Sequence, residues 1–244
     1  MVLGLLAMAG LAAYLNIRPE QHWILALTAL ITAASVEGAV RSHPEWSGSH
    51  LGALSYALLP LVAVLGAGLF IDEAVDGYGR MVAGLAAGAA TGLLLYAEYH
   101  TISPAQRLFG SMRLVLAVVT YLAALALFTV FFTRDLSLPA STAAVGVLSF
   151  ALALDLLRES RGRGASSVLA ALAIGVSLAE LRIALYYFPL DDLLTGALMI
   201  IGFYVATGLV HHLLDEDLTP STVAEYLVVS GVSAAVIVVA RQFL

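Results

Sequence analysis

The densest run of side chains that could do chemistry is His211-His212-Leu213-Leu214-Asp215-Glu216-Asp217. Helical spacing places His211 one turn from Asp215 and His212 one turn from Glu216. A carboxylate that accepts from one imidazole nitrogen leaves the other nitrogen for a metal or a proton. Glu98 and His100 lie at the matching end of another apolar run, with His43 and His50 on the same side, and could complete such a site. His100, His211 and His212 would then be metal ligands, and Glu98 or Asp215 the general base. Zinc with an open position for water suits this donor set. A b-type haem between His100 and His211 is a subsidiary arrangement. The plainer reading makes these groups solvated residues at helix ends.

Glu37, Glu180 and Arg182 stand inside apolar runs, where an ionised group is costly unless paired or wetted. Arg41 lies one turn after Glu37, so that pair can satisfy itself. Positions 180 and 182 are about 200° apart on a helix, so different neighbours must meet them. Tyr186 follows Arg182 by one turn and Tyr187 follows Glu180 by two. These charges form either a polar bridge between helices or a path for a proton or solute.

The elements that must carry these residues follow from composition. The chain has 244 residues, 61% hydrophobic and 11% charged, with a mean hydropathy of +0.97. A soluble domain carries about 25% charged residues. The fold class is therefore all-α, a polytopic transmembrane bundle without a soluble domain. Nine apolar runs qualify, at 1–17, 23–40, 51–71, 79–99, 104–132, 139–157, 165–188, 192–213 and 221–241. The first is short and has no basic flank, so it reads as a span rather than a signal peptide, with eight spans as the alternative.

Some helix starts are written locally. Ser103-Pro104-Ala105-Gln106 has the residues of a capping box with proline at N1, which would place Arg107 and Arg113 on the first turns of the fifth helix. Thr222 and Glu225 suggest a similar box for the last helix. Asp191 and Asp192 suit the positive end of the eighth. Connections are short, so residues 1–244 read as a single domain. Gly84, Gly88 and Gly92 make a small-residue ridge on the fourth helix, for packing inside the bundle or for a homo-oligomer or membrane-complex partner. Pro60 removes a hydrogen bond to the carbonyl of Tyr56 and predicts a kink.

Alternating crossings sort the loops. Side A, which holds the first residue, collects Arg41, Arg107, Arg113, Arg158, Arg161 and Arg163, against Arg18, Arg80, Arg134 and Arg241 on side B. The arginine excess predicts that side A is cytoplasmic. Arg158, Arg161 and Arg163 form a juxtamembrane patch with Asp155 and Glu159, suited to lipid headgroups. Five of the six histidines fall on side A, and His22 on side B.

Absences exclude whole chemistries. The chain has no cysteine, and all 11 basic residues are arginines. Schiff-base retinal or pyridoxal, iron-sulfur clusters, thiolate metal sites and covalently attached haem are excluded. A net charge of −6 argues against a nucleic-acid partner.

Asp72-Glu73-Ala74-Val75-Asp76-Gly77-Tyr78-Gly79-Arg80 resembles the signature of CDP-alcohol phosphatidyltransferases, but its spacing differs on both sides of Asp76-Gly77 and the downstream aspartate pair is missing. The one-sided histidines are similar in outline to the alkaline ceramidase and adiponectin receptor hydrolases, whose HxxxH is absent. No residue role is carried over from either. No HExxH, EExxxR, GxSG, Walker or Rossmann pattern occurs. The resulting expectation is a lipid- or ligand-binding protein or an accessory subunit of a membrane assembly. The alternatives are a metal-dependent lipid hydrolase or transferase and a small proton-coupled permease.

Overall fold

The computed structural model describes residues 2–16, 21–44, 46, 50–102, 107–134, 136–159, 165–188 and 190–240. Ser103-Pro104-Ala105-Gln106, Arg18, Arg161, Arg163 and Arg241 lie outside the described residues, as do the side chains of His50 and Glu159. Among the described residues all regular structure is helical: α1 (Val2–Asn16), α2 (His22–Arg41), α3 (His50–Ala74), α4 (Tyr78–His100), α5 (Phe109–Thr133), α6 (Leu138–Leu156), α7 (Ala165–Tyr186), α8 (Asp192–Leu214) and α9 (Pro220–Ala240), with one 3-10 turn at Leu157–Glu159. Eight of these helices are long and apolar enough to cross a membrane. The exception, α1, has 15 residues, about 22 Å of helix against a hydrocarbon core of roughly 30 Å.

Two boundaries differ from expectation. Arg107 sits in a turn ahead of α5, which begins at Phe109. The cap of α9 lies one residue triplet earlier than the expected box: the Thr222 N–H donates to Thr219 Oγ1 at 3.2 Å. Proline at N1 has no N–H to leave unsatisfied and a φ already suited to the first turn, so Pro220 fixes the start. Glu225 is then simply an exposed residue of the helix.

The chain divides into two compact units, Met1–Leu127 and Phe128–Leu244. In the first, α1 runs antiparallel along α4, with Gly4 against Gly92, Met8 against Gly88 and Leu15 against Gly84. The glycine ridge is thus covered by α1 of the same chain. A Cβ at Gly88 would fall on the Met8 backbone, so only glycine admits this approach. Hydrocarbon solvates apolar surface as well as a neighbouring helix does, so such close backbone contact, rather than expulsion of water, holds the pair. Leu11, Tyr14, Leu25, Ala29, Val64 and Ile71 close the core between α1, α2 and α3. Pro60 is buried inside α3.

The Asp72-to-Arg80 segment proves to be a clasp between α3 and α4. Arg80 donates through Nε to the Val75 carbonyl and through Nη2 to the Asp72 carbonyl, each at 3.0 Å, which satisfies acceptors orphaned at the end of α3. Its Nη1 lies 3.5 Å from Asp72 Oδ1. Gly77 takes φ 60° and ψ −139°, a conformation that excludes side chains. The buried Tyr14 hydroxyl joins the clasp, 3.1 Å from His22 Nδ1 and 3.4 Å from Asp72 Oδ2. One polar chain thereby ties the ends of α1, α2, α3 and α4.

In the second unit, α6 and α7 approach through Gly146 and Gly175, where an added Cβ on Gly175 would stand 2.7 Å from the Gly146 carbonyl. Phe128 and Phe203 meet edge to face at 6.2 Å, and Gly196 of α8 accommodates Thr129 of α5. The outermost helix, α9, rests on α8 through Tyr226, which packs over Gly208 and beside Tyr204 at 5.1 Å.

The ridge makes a matched test. Gly88→Ala should lower stability by about 1–3 kcal/mol through overpacking, while Gly231→Ala, with open space around its Cα, should be neutral or slightly stabilising. Thermal unfolding of both variants in the same detergent checks this, and equal midpoints would contradict the packing described.

Candidate functional site

On α4 the buried face runs Gly84, Gly88, Thr91, Leu94, Ala97 and Glu98. Glu98 therefore shares a face with the glycine ridge, two heptads beyond Gly84. Its side chain is 0% exposed. The helix ends just past it, where the buried Thr101 hydroxyl donates to the Glu98 carbonyl at 3.0 Å. This cap holds the last turn and with it the direction of the carboxyl.

Glu98 lines a cavity of about 710 Å³ between α1, α2 and α4. The walls are apolar, including Leu5, Met8, Val36, Ala89 and Leu93, and the polar groups gather at one end as Glu98, His100, Tyr96 and Tyr99. The aromatic rim is contiguous. His43, itself buried, meets Tyr99 edge to face at 4.7 Å. Tyr96 and Tyr99 meet His100 at 4.2 and 5.7 Å. Beneath this rim Val36, Val40 and Ala53 form a small core with Trp46 and Tyr56. The volume lies within the roughly 300–1,000 Å³ of small-molecule sites, which are mostly apolar with a few convergent polar groups. Glu98, His100 and His43, singled out by sequence, thus come together. Tyr96 and Tyr99 were missed, although their flanking of Glu98 on the last turn of an apolar helix was a signal for an interfacial rim.

The histidine pair of α8 belongs to the second unit. His211 Nε2 lies 3.5 Å from Asp215 Oδ2, as the one-turn spacing predicts. His212 departs from expectation: its Nδ1 lies 2.9 Å from Asp217 Oδ1, not beside Glu216. The backbone explains the exchange. The Asp217 N–H returns to the His212 carbonyl at 3.1 Å and the Glu216 N–H to Leu213 at 3.3 Å, a Schellman closure that puts Glu216 at φ 60°. That left-handed residue carries Glu216 off the helical path and returns Asp217 to His212. Both histidines are about one-third exposed.

Among the described residues, no three His, Asp or Glu side chains within either unit form a metal-ligating group. Glu37 pairs with Arg41 at 3.0 Å, as its spacing predicts. Arg158 reaches Asp155 at 3.1 Å, and both are largely buried. Glu180 is exposed, whereas Arg182 is buried with its guanidinium 4.1 Å above the Phe132 ring and 5.8 Å from that of Tyr186. The angular separation predicted for 180 and 182 is thus realised, with an aromatic neighbour for the arginine.

Apolar helices that gather their polar groups at the ends define a multi-pass membrane protein. Residues 5–240 match the family described as DUF5656, a protein of unknown function, and the chain belongs to that family. No curated protein and no solved structure matches it.

The Schellman closure carries a test. A non-glycine residue in the left-handed region costs about 1 kcal/mol, so Glu216→Gly should stabilise the protein by that order in thermal unfolding while the neighbouring Asp217→Ala should not. No gain from Glu216→Gly would contradict the backbone conformation at this cap.

Proposed function

We propose that the first unit binds an amphiphile, with one hydrocarbon chain along Leu5, Met8, Ala89 and Leu93 and a hydrogen-bond-donating head, an amine or hydroxyl, at Glu98. The observation that carries this reading is a fully buried carboxyl at the polar end of an otherwise apolar cavity. A carboxyl at the polar end of apolar walls offers acceptor oxygens to a donor-bearing head, while the tail of the ligand replaces lipid against those walls. His100, Tyr96 and Tyr99 add donors and acceptors that orient the head. Binding, with the protein as a lipid receptor or accessory subunit of a membrane assembly, requires nothing further of these residues. The arginine-rich side, which includes Arg107, Arg113 and Arg158, would face the cytoplasm, so the polar mouth of the cavity would open near the cytoplasmic leaflet.

Thermal unfolding of the delipidated protein with long-chain amines, alcohols and alkanes of equal length tests this. Amines and alcohols should raise the midpoint and alkanes should not. Leu93→Trp, which fills the cavity from its outer wall, should abolish the shift, and Glu98→Gln should remove the preference for amine over alcohol. A shift unchanged in Leu93→Trp would overturn the proposal.

A further inference from the structure

Arg182 is 5% exposed and cannot shed its charge. Its guanidinium lies over the Phe132 ring at 4.1 Å. A cation–π contact attracts the charge but leaves the N–H donors to find other partners. Nε and Nη1 are both shielded from solvent and donate to no described residue. No carboxylate among the described residues forms an ion pair with it. Glu180 is exposed on the far side of the helix, and Asp191 and Asp192 are exposed at the start of α8. A second buried donor, the Thr129 hydroxyl, also lacks a partner; it lies three residues before Phe132, on the same face of α5.

We infer that the guanidinium of Arg182 receives a phosphate oxyanion at the membrane edge of the second unit, supplied by the headgroup of an anionic phospholipid. An uncompensated cation away from water is costly, while a guanidinium edge is shaped to hold two oxygens in a fork. The depth agrees with this source. Arg182 stands one turn, about 6 Å, inside the end of α7, where Tyr186, Tyr187 and Phe188 are exposed as an interfacial aromatic belt. Lipid phosphates lie at that level, and dissolved anions approach the guanidinium from the water side. This site is separate from the cavity at Glu98 and does not rest on the amphiphile reading.

Thermal unfolding of the full chain, delipidated in a nonionic detergent, decides the matter. Phosphatidylglycerol should raise the midpoint by several degrees, diacylglycerol of the same chains should not, and Arg182→Gln should remove most of the difference while Arg182→Lys keeps part of it. Inorganic phosphate that competes with phosphatidylglycerol in the native protein supports the oxyanion site even if Arg182→Gln does not fold. Phosphate that reproduces the whole shift by itself supports the site with a soluble anion as its source. An equal response to both lipids together with no effect of phosphate would overturn the inference and leave a carboxylate of a partner protein as the counter-charge. A lipid shift unchanged in Arg182→Gln would overturn it as well.

Discussion

Many hydroxyls within these helices are satisfied by the backbone of their own helix. Thr28 donates to the Ile24 carbonyl at 2.8 Å, Thr32 to Thr28 at 2.8 Å, Thr91 to Ala87 at 2.9 Å, Thr120 to Leu116 at 2.9 Å and Thr207 to Phe203 at 2.7 Å. Hydrocarbon offers no hydrogen bonds, so a hydroxyl placed there must return to a carbonyl already engaged in the helix. The same constraint drives longer polar side chains to the helix ends and makes glycine the residue of closest packing. Charges that escape it are few. Glu98 in the first unit is fully buried near the end of its span, and Arg182 in the second is buried with no ion pair among the described residues.

The two ends of the first unit use polarity differently. At one end Tyr14, His22, Asp72 and Arg80 bind each other and the orphaned carbonyls of α3, so their polarity is spent on holding four helices together. At the other end Tyr96, Tyr99, His100 and Glu98 line a cavity. α1 contributes to both. Its C-terminal part supplies Tyr14 to the clasp, and its N-terminal part forms one wall of the cavity, with Gly4 seated against Gly92. A helix too short to span by itself is fixed in place by the ridge of α4, and its length leaves the cavity beside it.

Much of this was legible in the residues. Apolar runs and their breaks located the nine helices of the described residues, mostly within a few residues, because hydrophobic length is a strong signal where lipid is the solvent. The sorting of ends put His43, Glu98 and His100 on one side, and Tyr99 touches both His43 and His100. What stayed hidden depended on partners and on local backbone. The glycine ridge announced close packing but not that α1 would fill it. The exchange of Glu216 for Asp217 at His212 follows from one left-handed residue, which i to i+4 spacing cannot anticipate. The segment ending in Arg80 resembled a catalytic signature, yet its arginine closes a helix end. That Arg182 rests on Phe132 is a contact across 50 positions of sequence and has no local trace.

The absence of cysteine allows the central claim, that the first unit crosses a bilayer with its cavity mouth and its polar clasp at opposite faces, to be measured with single thiols. Ser42→Cys lies beside the aromatic rim and Asp76→Cys in the turn between α3 and α4, and both positions are exposed. In sealed vesicles of one orientation, a membrane-impermeant maleimide should label one of the two from outside and the other only after permeabilisation. Labelling of both from the same side would contradict the account.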